Sequence, residues 1–177
     1  MEKKEFLIPF VGLKLEKHNF SFEIDNTFFE SFGYQEFNGA SVNVNAVLDK
    51  TATMMELDLE AKGWVNVQCD LTDEPFDQQI IDQLHLVIKF GEDYDDTNEE
   101  LLVLPHGEYQ VNIAQYIYEL IVLAVPQKRV HPGVRDGSLR SDALDRLEEL
   151  SPKESRKDNE HTDPRWDGLK KLLTDDK

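Results

Sequence analysis

One cysteine in 177 residues, Cys69, is too little for an internal disulfide or for a zinc site built on thiolates alone. Long apolar runs are missing as well. The most apolar stretch, IAQYIYELIVLAV (113–125), falls short of the roughly 20 residues a membrane helix needs and contains Gln115 and Glu119. In the opening MEKKEFLIPF, Glu5 and Pro9 interrupt a very short apolar segment, so no signal peptide is expected and cytoplasmic residence is the default. Signatures of catalysis are wanting too: there is no G-x-S-x-G, P-loop, H-E-x-x-H or Gly-rich turn after a predicted strand. Positive charge is scarce in one region. Up to Val125, 7 Lys and Arg stand against 24 Asp and Glu, whereas from Pro126 onward there are 12 of each, so the whole net charge of −17 resides in the N-terminal body. Such a body repels phosphate backbones and suits basic partner proteins. Its acids, Asp70, Asp73, Glu74, Asp95 and Asp96 among them, are too abundant to single out a catalytic pair and read as a solvated face.

The chain is long enough for one domain with a real core. Its pattern predicts an α+β protein: an antiparallel sheet or barrel-like roll, one main helix across it, and short C-terminal helices. Alternation at Phe20, Phe22 and Ile24, then at Val42, Val44, Ala46 and Leu48, marks half-buried strands. Met55, Leu57, Leu59 and Ala61 continue it, with a tight turn expected at Lys62-Gly63 before Val65, Val67 and Cys69. Phe76, Ile80, Leu84, Leu86, Ile88 and Phe90 form a further strand, in which His85 points the other way. Asn26 is expected to cap a helix over TFFESFGY, closed by Gly33. EDYDDTNEE (92–100), with six acids in nine residues, reads as a solvated loop and lacks the Gly and the terminal-Glu spacing of a calcium loop. NIAQYIYELIVLAVP is the strongest helix, with Asn112 and Gln115 as a capping box and Pro126 as its stop. The expected organisation is an acidic body over 1–125, a basic loop and helix over 126–150, and a polar linker with a terminal helix over 151–177. In the middle segment, SDALDRLEEL aligns Leu144, Leu147 and Leu150. SPKESRKDNEHT then holds too few apolar side chains to offset the entropy of ordering it.

The terminal DPRWDGLKKLL (163–173) has the marks of a short helix that folds on contact. Asp163 suits a cap, Pro164 the first helical position, and Lys170 and Lys171 the negative end. Trp166, Leu169, Leu172 and Leu173 share one side and need a surface to cover them. That surface is the chain's own body or a partner. Arg165 and Trp166 offer a planar cation and a stacking face, a combination suited to RNA. Lys128, Arg129, Arg135 and Arg140 form a second basic group.

Three stretches resemble, in order, the YceD-like family of bacterial and plastid proteins linked to accumulation of large-subunit ribosomal RNA. They are GWVNVQCDLTDEPF, NIAQYIYELIVLAVP and DPRWDGLKKLL, and IPFVGLK is similar to the opening of the branch found in Bacteroidetes-like bacteria. The family's strand-and-turn motif is usually G-x-V-x-V-x-C-x-R-C-L-E-P-F. Here Leu71 stands where Arg is usual and Thr72 replaces the second Cys, while KRVHPGVRDGSLRSD holds none of the later cysteines. Members that keep those thiols look able to hold a metal. With Cys69, His106, His131 and His161 scattered, neither a metal nor a cofactor is expected here. The resemblance implies a non-enzymatic factor supporting the large ribosomal subunit. Its expected partner is a ribosomal protein or assembly intermediate, with the C-terminal third touching ribosomal RNA or that same partner. A different reading is a barrel binding a small apolar ligand in a cavity lined by Phe20, Phe22, Phe76 and Phe90. A hydrolase hidden in the acidic loops is the weakest.

Overall fold

A computed structural model describes residues 6–151. The opening residues 1–5 and the terminal segment bearing Asp163, Pro164, Arg165, Trp166, Lys170 and Lys171 lie outside the described residues. The chain divides into two compact units, Met1–Leu139 and Arg140–Lys177.

In the first unit, β1 (Leu7–Pro9), β2 (Lys17–Asp25), α1 (Asn26–Glu30), β3 (Gly39–Lys50), β4 (Met54–Gln68) and β5 (Pro75–Gly91) follow one another. Then come β6 (Asp95–Asn98), β7 (Leu101–Pro105), β8 (Gln110–Asn112), α2 (Ala114–Ala124) and α3 (Pro132–Arg135). Six strands make one open sheet in the order β2-β3-β4-β5-β7-β6, and β1 pairs with β8 beside it. The α+β class therefore stands, and the barrel-like alternative gives way to an open sheet. Antiparallel hairpins build β2 to β5, as alternation implies, but β7 runs parallel to β5, pairing Val87 with Leu101 through Gly91 with Pro105. A parallel neighbour cannot be reached by a tight turn. The acidic stretch supplies the excursion and, contrary to its reading as a plain loop, contains the edge strand β6.

Period-2 patterning places one apolar row under each strand. Leu48, Leu57 and Leu86 are cross-strand neighbours, as are Ala46, Leu59 and Leu84; all but the half-buried Leu84 are buried. Gly63 makes no turn: β4 passes straight through it, paired with Val42 and Ile80. A Cβ there would overlap the Ser41 carbonyl oxygen and sit 2.6 Å from Val42 Cα, so close backbone approach explains this glycine.

α1 is shorter than expected, and its cap is Asp25, whose carboxylate accepts from Thr27 and Phe28 N–H groups. The Thr27 hydroxyl at 2.6 Å holds the Asp25 pKa below the usual carboxylate range; burial opposes it, and those amides add to the lowering. α1 turns Phe28 and Phe29 into an aromatic cluster that reaches α2, where Phe32 stacks on Tyr118 with ring centroids 4.5 Å apart. α2 covers the sheet with Ala114, Ile117, Leu120 and Ile121. Asn112 accepts from Ala114 N–H, but Gln115 does not reach back; it donates forward to Glu119, so no capping box forms. The segment read as a loop after Pro126 holds the short helix α3.

The second unit is described through α4 (Asp142–Leu150), capped by Ser141, whose hydroxyl accepts from Leu144 N–H. None of its residues is buried, and Leu147 and Leu150 are exposed.

Candidate functional site

The β4–β5 turn, residues 69–74, and the segment following α2 meet through a dense set of polar contacts. Cys69 ends the buried row of β4, and the chain then reverses with Asp73 at a positive φ of 59°. Asp70 N–H donates to the Arg129 carbonyl at 2.8 Å, and Arg129 N–H returns a bond to Asp70 Oδ2 at 2.7 Å. The Arg129 guanidinium lies between two carboxylates, its Nε 3.3 Å from Asp70 Oδ1 and its Nη1 3.7 Å from Glu36 Oε2. One residue pair thus closes a backbone–backbone bond, an amide-to-carboxylate bond and an ion pair.

Beside it, His131 N–H donates to Cys69 Sγ at 3.3 Å, and the His131 ring meets Phe76 edge-on. Burial pushes the Cys69 thiol up, but the His131 amide, the Thr72 hydroxyl and the amides of Leu71 and Thr72 outweigh it, leaving the pKa below the usual value. His131 Nδ1 accepts from Gly133 N–H and caps α3. A structural metal would need about four convergent donors. Here the thiol accepts from the His131 amide, the second thiol position is a hydroxyl, and the imidazole Nδ1 is engaged in a cap. Among the described residues no three His, Cys, Asp or Glu side chains converge. The donor set does not fit a metal; hydrogen bonds join the two segments instead.

The basic residues singled out by sequence separate into two kinds. Lys128, Arg135 and Arg140 are exposed, and none forms an ion pair among the described residues. Arg129 is half-buried and held by Asp70 and Glu36, an arrangement its sequence neighbours did not signal.

Phe20, Phe22, Phe76 and Phe90 do not share a cavity. Phe22 packs on Phe6, Phe76 on His131, and Phe90 on Phe10 and His106. A groove of about 750 Å3 opens instead between α2 and the β5–β6 edge, lined by none of those four rings. Carboxylates of Asp82, Asp96, Glu99 and Glu119 border it, and Tyr94, Tyr116, Leu120 and Leu123 offer apolar surface. Burial, then the neighbouring Tyr94, Asp96 and Glu119, push the Tyr116 hydroxyl up to about 12. The Tyr94 pKa rises through burial and through Asp96, to which its hydroxyl donates at 3.0 Å. Sequence reading placed Asp96 on a solvated face and did not bring these residues together, yet one signal was available: Asp82 lies in phase with the core residues Ile80 and Leu86.

On the other sheet face, His85 Nδ1 sits 2.7 Å from Asp58 Oδ1, which raises the imidazole pKa. Every buried side chain among the described residues that the strands and α2 supply is hydrophobic. No helix among the described residues is long and apolar enough to cross a membrane.

Neither the curated proteins nor the solved structures include a match to this chain. The family model for the large ribosomal RNA subunit accumulation protein YceD matches residues 57–173, running from inside β4, through the β4–β5 turn and α2, to the terminal Leu-rich segment. That is well over half of the chain, and it includes the three stretches whose order carried the resemblance, so the protein belongs to the YceD family.

Proposed function

We propose that this protein is a non-enzymatic factor that supports accumulation of large-subunit ribosomal RNA by adhesion. The acidic body grips a basic ribosomal protein or assembly intermediate, and the C-terminal third meets RNA or the same partner. Family membership over residues 57–173 is the observation that carries the reading. Charge gives it a mechanism. The excess of carboxylates lies before Pro126, where it attracts cationic chains and repels phosphate. Lys128, Arg135 and Arg140 stand exposed beyond it, with Arg165, Lys170 and Lys171 further along. A cation without an acidic partner adds attraction for a phosphate without reading sequence. Arg129 acts differently: bound to Asp70 and Glu36, it positions the segment that displays Lys128 and Arg135. The work is cytoplasmic, where ribosomes are assembled.

A tagged full-length chain, captured at moderate salt with its bound RNA and proteins identified, tests this. Enrichment of large-subunit RNA and of basic ribosomal proteins over their small-subunit counterparts is expected. Recovery of neither overturns the reading.

A further inference from the structure

We infer that the groove between α2 and the β5–β6 edge docks a Lys- and Arg-rich peptide segment of a partner protein that also carries an apolar anchor side chain. This rests on the adhesion reading above and assigns it a place. Charge complementarity is the first argument. Asp82, Asp96, Glu99 and Glu119 line the groove, no Lys or Arg does, and none of the four forms an ion pair among the described residues. Three are oriented by neutral donors: Asp82 by Gln83 N–H, Asp96 by the Tyr94 hydroxyl, Glu119 by the Gln115 amide. Such bonds fix a carboxylate without neutralising it, so its charge stays available beside the groove. Asp82 sharpens the point, because it occupies a core-facing register position opposite Ala61, where an apolar residue would close the sheet against α2.

The groove's apolar part defines the rest of the ligand. Leu123 leaves 78 % of its surface uncovered on α2, next to the buried Leu120. Tyr94 and Tyr116 add aromatic surface beside the carboxylates. Long cationic side chains lay their alkyl stems on such surface and their heads among acids, and a cation over an aromatic face gains further. A volume of about 750 Å3 has room for several side chains. Nucleic acid is disfavoured by the same charges.

The full-length protein is titrated by fluorescence anisotropy with a labelled peptide of alternating Lys and Leu, at about 150 mM salt so that distant charges are screened. Its comparators are the same peptide with Glu for Lys and a Lys-Ser peptide of equal charge. The double variant Asp96→Asn/Glu119→Gln is expected to bind about tenfold more weakly, since two charges facing the cationic peptide are lost. Leu123→Ser weakens the Lys-Leu peptide and leaves the Lys-Ser peptide unchanged. Glu23→Gln/Glu56→Gln, the same charge change away from the groove, shifts binding by no more than about twofold by the screening argument. Equal losses in the two double variants, or wild-type binding by the groove variants, overturn the inference. Co-sedimentation with large-subunit particles separates it from the reading it rests on. If wild type and the groove variant co-sediment equally, the groove assignment fails and the ribosomal reading stands. Should wild type bind the peptide through the groove yet never co-sediment, the ribosomal reading fails alone.

Discussion

Two places in the body use opposite charge in contrasting ways. At the β4–β5 turn, Arg129 is enclosed by Asp70 and Glu36, and the charges are consumed in holding two segments together. At the β5–β6 edge, four carboxylates border a groove with no cation among its lining. The first arrangement satisfies itself; the second leaves attraction over for something else. A cluster of charge is therefore informative only once its partners are known, and the net value of −17 describes neither place.

The largest effect should come from breaking both places together. Gly63 lies in the strand between β3 and β5, and Gly63→Val forces the backbones apart at Ser41 and Val42. A loss of about 3 kcal/mol or more, read by urea unfolding, is expected from overpacking of this kind. Next comes the turn alone. Asp70→Ala leaves the half-buried Arg129 with only the more distant Glu36 and removes the acceptor for its amide. The expected loss is about 1–2 kcal/mol, reduced from the value of a buried pair because the carboxylate is partly exposed. Asp96→Asn/Glu119→Gln supplies the contrast: thermal unfolding should show no loss, and a slight gain at low salt, because repulsion is removed while the new amide oxygens can still accept from Tyr94 and Gln115.

Smaller effects sharpen the same comparison through titration. In the groove double variant the Tyr116 hydroxyl should titrate below about 12 but stay above the ordinary tyrosine value, since burial is the larger cause. Ultraviolet absorbance against pH measures it. On the opposite face, His85 titrates above about 6.5 because of its bond to Asp58. A raised folded-state pKa means the pair contributes fully below the unfolded value and is lost as pH rises through the folded one. Asp58→Asn should bring the NMR titration of His85 back down and flatten that part of the stability profile.

Much of the architecture was legible because burial has a period. Val42 to Leu48, Met55 to Ala61 and Ile80 to Ile88 announced their strands, and Ile117, Leu120 and Ile121 announced α2. What escaped depended on neighbours distant in sequence. Gly63 looked like a turn, since the Ser41 carbonyl that excludes a side chain lies on another strand. Asp25 displaced Asn26 as the cap because either residue type can accept the amides and only the backbone path chooses between them. The edge strand β6 was hidden inside a run of acids, and the parallel partners β5 and β7 lie on either side of that run. Of the candidate site, the exposure of Lys128, Arg135 and Arg140 follows from their type, while the capture of Arg129 required Asp70, 59 residues earlier in the chain. The groove left one trace, the carboxylate of Asp82 in a core phase.

The central claim is that this fold works by adhesion in making the large ribosomal subunit. Deleting the gene and measuring the ratio of large- to small-subunit ribosomal RNA tests it most directly. A ratio that falls and is restored by the wild-type protein is predicted; a ratio unchanged by the deletion would contradict the account.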